Sequence, residues 1–390
     1  MRQPVGSWSC PTTVFAGADA LAAWASGSGR QPRGRAIVLV DPTPAVRDAP
    51  AVRALLAVLP EAIEVAVPPG EAGSEALRQA VAEVQSAAVA AGELPQVFAI
   101  GGGSVLDAGK LVMLAAHEPG LLDMLSASPG GLQIVPGPTT ASAPLVCVPT
   151  TLGTASEVSP VALHRGRVST MVVGPALRPQ QAVIDPQLTA SLSASALAAG
   201  LVEPLARAVV PAICDRPLHL QDAQARALAD TLLELGGQLA TGGADAQWRL
   251  TAALTSTATH TSFLALGRPP MSHALWPLAT ELVAAGEMTK PAALAALLPA
   301  WLTGLAEGRL DGPFGSATRV EQVLGMGAAE AAARLADWLA ELPLQAAPPV
   351  ARGADPTVVA ARVVDRWQRP GWFLPGVDTG QIRWLLAAAW

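Results

Sequence analysis

Residues 99–110 read AIGGGSVLDAGK, in which three consecutive glycines precede serine, aspartate and lysine side chains. Glycine has no Cβ and lets the backbone approach a ligand closely, and the N–H groups at a helix start attract an anion. Ser104 and Asp107 have the S-x-x-D spacing of a capping box, which predicts an ordered start for the following helix. A pyrophosphate is the natural ligand of such a turn. The alternative is a tight turn before a capped helix that binds nothing.

The turn has to lie between a strand and a helix, because QVFAI precedes it and the helical pattern SVLDAGKLVMLAA follows it. Apolar runs alternate with helical stretches through the first half of the chain, which predicts a parallel sheet wrapped by helices. The predicted strands are 36–40, 63–67, 96–100, 144–148, 170–173 and 181–184, and the predicted helices include 74–91 and 104–116. The turn then lies at the carboxyl end of a strand, where open α/β sheets bind ligands.

The second half of the chain has a different residue pattern. From about residue 193 onward, Ala- and Leu-rich segments punctuated by Gly and Pro predict helices only. We therefore predict an α/β, Rossmann-like domain over residues 1–188 and an all-α domain over residues 189–390. A chain of 390 residues is long enough for two domains that share a cleft.

The composition favours a soluble globular protein. Hydrophobic residues make up 51% of the chain and charged residues 14%, enough apolar surface for a large core. A net charge of -6 without a long basic run argues against nucleic-acid binding. The uncharged stretch 124–156 contains several prolines and a Gly-Gly pair, so we expect no membrane span. With no signal peptide visible and no C-x-x-C among the three cysteines, we expect a cytoplasmic protein that acts on a small molecule or peptide.

Two further segments favour a nucleotide site. The segment 148–160, VPTTLGTASEVSP, follows a predicted strand and places hydroxyl and small side chains in another strand-end loop. Asp41 ends the strand AIVLV, where a carboxylate can accept hydrogen bonds from an adenosine ribose and repel a 2′-phosphate. This position favours NAD over NADP. Asp41 followed by Pro42 is also an ordinary turn, and that alternative stays open.

Together, GGGSVLDAGK and PTTLGTASE resemble the paired signatures of the iron-containing (group III) alcohol dehydrogenases and of their relatives, the glycerol dehydrogenases and dehydroquinate synthases. In that superfamily GGGS-x-x-D-x-x-K is followed by P-T-T-x-G-T-G-S-E, and here one glycine is changed, to Ala155. CPTTVFAGADAL and AVIDPQLTASL resemble its amino-terminal strand and interdomain segment. The resemblance implies a dehydroquinate synthase-like fold, NAD as cofactor and self-association.

The resemblance and the strand-end positions together assign a set of residues to NAD. The three glycines and the serine would hold the pyrophosphate, the threonine-rich loop would line the nucleotide, and an arginine stands where many relatives have a lysine beside the nicotinamide ribose. The residues are Asp41, Gly101, Gly102, Gly103, Ser104, Asp107, Thr150, Thr151, Leu152, Thr154 and Arg167.

In the relatives a divalent iron or zinc, held by one carboxylate and two or three histidines, polarises the substrate oxygen. The resemblance gives Glu203 as the carboxylate, in AAGLVEPLARAVV, and puts Arg207 where the alcohol dehydrogenases have a histidine. His273 matches the next histidine, in PPMSHALWPL, and Lys290 takes the place of the last. A protonated lysine cannot coordinate a metal. Glu203 and His273 therefore form an incomplete site, and we expect no tightly bound catalytic metal.

Lys110 and Lys290 are the only lysines among 25 basic residues, which suggests that a compact ammonium is needed at these positions. We hypothesise that Lys290 places its ammonium where the metal would lie, pairs with Glu203 and stabilises a developing alkoxide or carboxylate. His273 would act as general base or proton relay, with His260 as a further candidate. The alternative is a decayed site with an incidental surface lysine.

These observations predict an NAD-dependent oxidoreductase that acts on an alcohol. The departure from the metal pattern points to a specialised biosynthetic pathway. One branch of the resembled family serves ribosomal peptides of the daptide type, oxidising the hydroxyl of a carboxy-terminal threonine to a β-keto acid that loses carbon dioxide. Two alternatives remain: a dehydroquinate synthase-like lyase that uses NAD transiently, and a noncatalytic NAD-binding protein that scaffolds a partner.

Overall fold

The computed structural model describes residues 10–27, 35–59, 61–70, 75–118, 120–135, 144–166, 168–268, 272–285, 288–344, 355–368 and 376–389. Contacts divide the chain into two compact units. The α/β unit contains residues 10–192 together with 245–257, and the helical unit contains residues 193–244 and the described residues from 258 onward. The fold class is the one that the sequence predicts. One Ala-rich segment of the second half, 245–257, nevertheless packs with the α/β unit.

The strands lie where the sequence predicts them at six positions, and three further strands are present among the described residues. The strands are β1 Thr13–Ala16, β2 Ile37–Val40, β3 Ile63–Ala66, β4 Val97–Gly101, β5 Gly131–Ile134, β6 Leu145–Pro149, β7 Val161–Arg165, β8 Ser169–Val173 and β9 Gln181–Ile184. The three additions are β1, which only the family resemblance suggested, β5 and β7. All three are edge strands, and partly exposed edges lack the continuous apolar run by which buried strands are recognised.

The helices are α1 Ala20–Ser26, α2 Pro44–Arg47, α3 Pro50–Val58, α4 Glu75–Ala91, α5 Gly103–His117, α6 Leu121–Ser126, α7 Ala194–Cys214, α8 His219–Ala240, α9 Ala246–Ala258, α10 Leu275–Ala285, α11 Lys290–Ala306, α12 Ala317–Leu324, α13 Ala328–Glu341, α14 Pro356–Trp367 and α15 Thr379–Ala388. α1 to α6 and nearly all of α9 belong to the α/β unit. The remaining helices build the helical unit.

The main sheet of the α/β unit has the parallel strand order β1-β9-β6-β4-β2-β3. The chain runs from β2 outward to β3 and then returns to β4, on the other side of β2. α3 packs on one face of the sheet and α4 and α5 on the other. The segments that leave β2 and β4 therefore diverge, and this reversal opens a crevice at the carboxyl ends of these two strands, the place where such sheets bind ligands.

Two apolar layers hold the helices on the sheet. Trp24 and Leu55 are buried on the α1/α3 face, and Leu77 and Leu106 are buried on the α4/α5 face. Full burial of each aliphatic side chain contributes about 1.5–3 kcal/mol. Helix α5 lies especially close to the sheet, since a Cβ on Gly109 would be 2.8 Å from the Cβ of Ala99. The sheet and α5 thus form a rigid support for the glycine turn between them.

In the helical unit, α7 is the central helix. Among the described helices it is the one long and apolar enough to cross a membrane by length and composition, but 83% of that apolar stretch is buried inside the fold. This burial is expected of the core helix of a globular unit. The cysteines Cys10, Cys147 and Cys214 are unpaired, as predicted. Burial raises the pKa of Cys214 to about 12 and raises the pKa of Cys147 as well, so neither supplies a thiolate near neutral pH.

A buried ion cluster joins α8 to its neighbours. The Asp222 carboxylate accepts hydrogen bonds from Arg268 at 2.6 Å and from Arg319 at 2.8 Å. Arg319 also donates to the carbonyl groups of Ala212 at 2.6 Å and Asp215 at 2.9 Å, which are orphan acceptors at the end of α7. Burial alone would raise the pKa of Asp222, but the hydrogen bonds from Arg319 and Arg268 outweigh burial and lower the pKa.

The helix α14 is attached to α10 through a buried carboxylate. Glu281 accepts a hydrogen bond from Arg366 at 2.8 Å with one oxygen and from the indole N–H of Trp367 at 2.9 Å with the other. Glu281 is only 2% exposed, so both donors are needed to compensate its lost hydration. Helix α14 is therefore an integral part of the helical unit.

Candidate functional site

The glycine turn, residues 101–103, lies at the carboxyl end of β4, beside the carboxyl end of β2. Helix α5 starts at Gly103 and has Gly102 as its N-cap, without a side-chain cap. The Ser104 hydroxyl instead accepts a hydrogen bond from the Gly70 amide at 3.0 Å. The capping-box prediction is wrong, because Gly102 occupies the cap position and Ser104 already lies inside the helix. The Val105 and Leu106 amides donate to the Gly102 carbonyl at 3.0 and 3.1 Å, so the N–H donors at the start of α5 that suit an anion are those of Gly103 and Ser104.

The glycine turn packs directly on the loop that contains the second motif, PTTLGTASE, residues 149–157. We refer to this loop as the second motif loop. A Cβ on Gly102 would lie 3.1 Å from Cγ2 of Thr151, and one on Gly103 would lie 2.8 Å from Cγ2 of Thr154. A side chain on Gly103 would force Thr154 to shift, and one on Gly102 would require a smaller adjustment of Thr151. The absence of side chains therefore has a steric reason here, and the two motifs quoted from the sequence form one surface.

The other residues predicted for the nucleotide lie around this contact. The Thr150 amide donates to the Gly101 carbonyl at 3.0 Å, which continues the pairing of β6 and β4 into the two loops. Thr150 and Leu152 are buried. Arg167 lies outside the described residues. The structure therefore brings together the residues from both motifs, and the proposed contact to the nicotinamide ribose stays a prediction.

Asp41 is placed beside the glycine turn by the pairing of β2 with β4. Its amide donates to the Ile100 carbonyl at 3.0 Å. One carboxylate oxygen accepts the Thr43 amide at 2.9 Å, so the ordinary turn considered as an alternative is present. That turn uses Oδ1. The position of Asp41 at the crevice keeps it a candidate for the adenosine ribose.

Lys110 fastens α5 to the second motif loop. Its ammonium donates to the hydroxyl groups of Ser156 at 2.7 Å and Ser159 at 2.9 Å and to the Val161 carbonyl at 2.7 Å. Three acceptors around one nitrogen suit an ammonium and not the planar fork of arginine, which explains a lysine at this position. Burial lowers the pKa of Lys110, and the nearby carboxylate of Asp107, at 3.4 Å, opposes that effect.

Asp107 is directed toward the protein. Its Oδ1 accepts a hydrogen bond from Ser156 at 2.5 Å, and its Oδ2 accepts the Leu163 amide at 3.0 Å. The family resemblance and the strand-end position predict that Asp107 contributes to the cofactor site. In the structure its carboxylate instead holds the segment 156–163 against α5, so any contribution to cofactor binding is indirect.

Sequence reasoning missed the polar residues that join these segments. Glu157 is buried and accepts a hydrogen bond from Thr257 at 2.6 Å, which contributes to the packing of 245–257 with the α/β unit. Ser156 and Glu157 both belong to the quoted PTTLGTASE segment, and Ser159 follows it closely. The available signal was a run of polar residues in an otherwise apolar stretch, since such residues are buried only when they are hydrogen-bonded.

Replacing Ser156 with alanine is expected to lower the free energy of unfolding by about 1–3 kcal/mol, because the buried Lys110 ammonium and the partly buried Asp107 carboxylate each lose a hydrogen-bond partner. Denaturant unfolding followed by circular dichroism measures this change. Ser126→Ala is the matched control, since the exposed Ser126 hydroxyl bonds only to the Leu122 carbonyl of its own helix. We expect a change within about 0.5 kcal/mol there. Equal effects of the two substitutions would contradict the assigned role of Ser156.

In the helical unit, Glu203 and Arg207 form an ion pair one turn apart on α7. Nη1 of Arg207 lies 2.9 Å from Oε1 of Glu203, and its Nε donates to the Thr259 hydroxyl at 2.9 Å. Both charged side chains are buried. A buried pair persists only where geometry and additional hydrogen bonds compensate the lost hydration, as they do here.

His273 and Lys290 meet at the indole ring of Trp276. The ring centroids of His273 and Trp276 are 4.8 Å apart, and Nζ of Lys290 lies 4.1 Å from the Trp276 centroid. The pKa of His273 is lowered to about 3. Burial is the largest cause, and the positive charges of Arg207 and Lys290 add to it. We refer to Glu203, Arg207, His273, Trp276 and Lys290 as the cationic cluster.

The structure revises the ion pair predicted for this cluster. The ion-pair partner that it gives Glu203 is Arg207, four residues along the same helix, where the hypothesis had Lys290. An imidazole whose pKa is lowered to about 3 is neutral near neutral pH and is a weak proton acceptor, and the role of His273 as general base or proton relay stays a prediction. His260 is partly exposed and directly follows Thr259, the residue that binds Arg207. Its catalytic role stays a prediction.

The donor set of the cationic cluster does not fit a divalent cation. The Glu203 carboxylate is already neutralised by Arg207 at 2.9 Å, and two cations face His273. A divalent ion there would be repelled by both. Over the residues that the structure describes, no group of three or more His, Cys, Asp or Glu side chains could hold a metal ion. We therefore assign no chemical step to a metal.

Comparison with known proteins finds a family match for the α/β unit. Residues 11–186 match the family model for iron-containing alcohol dehydrogenases. The chain is 38% identical over 117 residues to the phosphonoacetaldehyde reductase of Streptomyces viridochromogenes, covering 27% of this chain and 28% of that protein. It is 33% identical over 215 residues to the probable alcohol dehydrogenase EutG of Salmonella typhimurium, covering 53% and 51%. The matches thus span about half or less of these curated relatives.

The likeness in fold extends further than the likeness in sequence. The NADH-dependent butanol dehydrogenase A of Thermotoga maritima has a TM-score of 0.80 to this structure, with 99% of each chain covered at 16% identity. At that identity the comparison shows the fold alone. Residues 11–186 therefore match the iron-containing alcohol dehydrogenases in sequence, and the structure shares the fold of a solved dehydrogenase over nearly its whole length.

Proposed function

We propose that the chain is an NAD(H)-dependent oxidoreductase that interconverts an alcohol with an aldehyde or ketone. The observation that carries this proposal is the glycine turn at the start of α5, in contact with the threonine-rich loop at the crevice between β2 and β4. The names of two similar proteins support it, since one is a phosphonoacetaldehyde reductase and the other is an NADH-dependent butanol dehydrogenase.

The described residues fit a dinucleotide. The first-turn amides of α5 would donate to the pyrophosphate, and Gly102 and Gly103 let it approach the backbone. Asp41 would accept hydrogen bonds from the adenosine ribose and disfavour a 2′-phosphate. Lys110 and Asp107 hold the two loops in the geometry that this binding needs. When bound, NAD supplies the hydride acceptor, C4 of the nicotinamide.

The cationic cluster would act on the substrate. Oxidation of an alcohol removes a proton from the hydroxyl oxygen and a hydride from its carbon, so negative charge develops on the oxygen. Arg207 and Lys290 offer positive charge to that oxygen or to an acidic group of the substrate. The neutral imidazole of His273 offers one hydrogen-bond donor and one acceptor, which suits a hydroxyl group.

Within this activity we propose a specialised biosynthetic substrate. The finer proposal is a peptide that ends in threonine. Loss of a hydride from Cβ and a proton from the hydroxyl would give a β-keto acid and NADH, and the β-keto acid would then lose carbon dioxide. The replacement of metal ligands by Arg207 and Lys290 supports a substrate unlike simple alcohols.

The proposal is tested by calorimetry with NADH and NADP(H), followed by absorbance assays of NADH formation from candidate alcohols. Binding of NADH together with turnover supports the proposal. Turnover without net NADH would favour the lyase alternative, and binding without turnover on any substrate would favour a noncatalytic protein. Mass spectrometry of a peptide with a carboxy-terminal threonine tests the finer proposal, through loss of two hydrogens and then of carbon dioxide.

A further inference from the structure

The imidazole of His273 is an unsatisfied group in the core of the helical unit. The residue is 9% exposed, and neither ring nitrogen has a hydrogen-bond partner among the described residues. Buried polar groups without partners cost free energy and are rare in folded proteins, so each one calls for an explanation. A bound ligand that supplies one donor and one acceptor, as a hydroxyl group does, would satisfy both nitrogens.

Lys290 carries a positive charge at the end of its helix where a positive charge is unfavourable. It is the first residue of α11, whose N-terminal end carries the positive pole of the helix dipole. A cation at this end of a helix is unfavourable for the helix dipole. Its ammonium lies over the Trp276 ring, 4.1 Å from the centroid, and its side chain is only partly buried. A cation held over an aromatic face in this way is oriented and remains accessible to an anion.

The two groups are close enough to contact one small molecule. Both lie against the same indole ring, at 4.8 Å for the His273 centroid and 4.1 Å for Nζ of Lys290, so they are separated by no more than about 9 Å. The indole between them offers an apolar surface. Trp276 is partly exposed and packs on the imidazole.

We propose that the cationic cluster binds a short hydroxy acid or the corresponding oxo acid, with the carboxylate at Lys290 and the hydroxyl or carbonyl oxygen at His273. This inference rests on the proposed function for its catalytic consequence. Arg207 supports the site by adding positive charge while it stays fixed by Glu203 and Thr259. The substrate class is thus set by charge at one end and by hydrogen bonding at the other, across the Trp276 ring.

The first test measures binding without catalysis. Calorimetry compares butyrate with butyramide, which has a similar shape but no charge, on the wild type and on Lys290→Met. We expect butyrate to bind the wild type more tightly than butyramide does, and the substitution to weaken butyrate binding by about 10- to 100-fold, as expected for a lost hydrogen bond to a charged group. Equal binding of the two probes to the wild type, or unchanged butyrate binding to Lys290→Met, would overturn the proposal.

Two further variants separate the charge from structural effects. Lys290→Arg keeps the charge, so it should bind butyrate more tightly than Lys290→Met; equal weakening by both would count against a charge-based site. Arg309→Met removes a positive charge from a side chain that is 64% exposed in the same unit, and it should leave butyrate binding unchanged. Thermal unfolding confirms that all three variants are folded.

The second test uses turnover of 4-hydroxybutyrate and 1-butanol with NAD. In Lys290→Met we expect KM for 4-hydroxybutyrate to rise about 10- to 100-fold relative to KM for 1-butanol, which has no carboxylate. A fall in kcat for both substrates would assign Lys290 to the reacting oxygen and overturn the carboxylate site. Butyrate binding that depends on Lys290 without any NADH formation would leave this inference intact and refute the proposed function.

Discussion

The Gly103→Val protein is expected to bind NADH at least 100-fold more weakly than the wild type. A Cβ at this position would lie 2.8 Å from Cγ2 and 3.2 Å from Cβ of Thr154, so the valine side chain forces the glycine turn away from the second motif loop. The loss of two charge-assisted hydrogen bonds from the first turn of α5 to the pyrophosphate accounts for about 3 kcal/mol or more. That free energy corresponds to a factor above about 100 in affinity. Calorimetry with NADH measures it.

Gly237→Val is the matched control for this substitution. Gly237 lies on the exposed side of α8, and a Cβ there meets nothing within 4 Å. The same change of glycine to valine should therefore leave NADH affinity unaltered. A Gly103→Val protein that is folded and binds NADH as tightly as the control would refute the assignment of the glycine turn to the pyrophosphate, and with it the main support for the proposed activity.

Replacing Asp222 with alanine is expected to lower the free energy of unfolding by about 3–5 kcal/mol, the typical effect of removing one partner of a buried ion pair. The Arg268 side chain is 1% exposed and the Arg319 side chain 10% exposed, so both guanidinium groups lose their nearest carboxylate with little access to water. Arg319 also binds the last carbonyl groups of α7, so the end of that helix loosens as well. Denaturant unfolding near neutral pH measures the change.

The same measurement at acid pH checks the electrostatic origin. The pKa of Asp222 is lowered in the folded protein, so its carboxylate stabilises the fold at pH values above its unfolded-state pKa of about 4, and this contribution is lost as the pH falls further. The difference between wild type and Asp222→Ala should therefore shrink below about pH 4. Asp230→Ala on the same helix is the control, because its exposed pair with Arg226, at 3.8 Å, contributes at most about 1 kcal/mol. A pH-independent difference would contradict this account.

The sequence predicted the arrangement of the α/β unit because buried parallel strands leave continuous apolar runs. AIVLV and QVFAI are such runs, and they became β2 and β4, the strands that flank the crevice. The edge strand GLQI mixes polar and apolar residues and gave no comparable signal. The packing of residues 245–257 with the α/β unit was not predictable either, because the sequence of an Ala-rich helix does not indicate which element it packs against.

The candidate site was predicted in its residues more than in its contacts. Lys110 was singled out because lysine is rare here, but its partners Ser156 and Ser159 lie 46 and 49 residues away, a separation that a sequence pattern does not resolve. The pairing of Glu203 with Lys290 was inferred from an alignment of motifs. In the structure the neighbour at i+4, Arg207, forms the pair, because a helix places these two side chains together without any long-range requirement.

The attachment of α14 to α10 has a consequence for a nicked chain. A chain cleaved between residues 344 and 355 would keep its two fragments together in native buffer, because Glu281 on one fragment still binds Arg366 and Trp367 on the other. Separating the fragments would expose the apolar side of α14 and remove both hydrogen-bond donors from the Glu281 carboxylate. Such a split protein would reassemble from its two parts, with the carboxylate of Glu281 specifying how they dock.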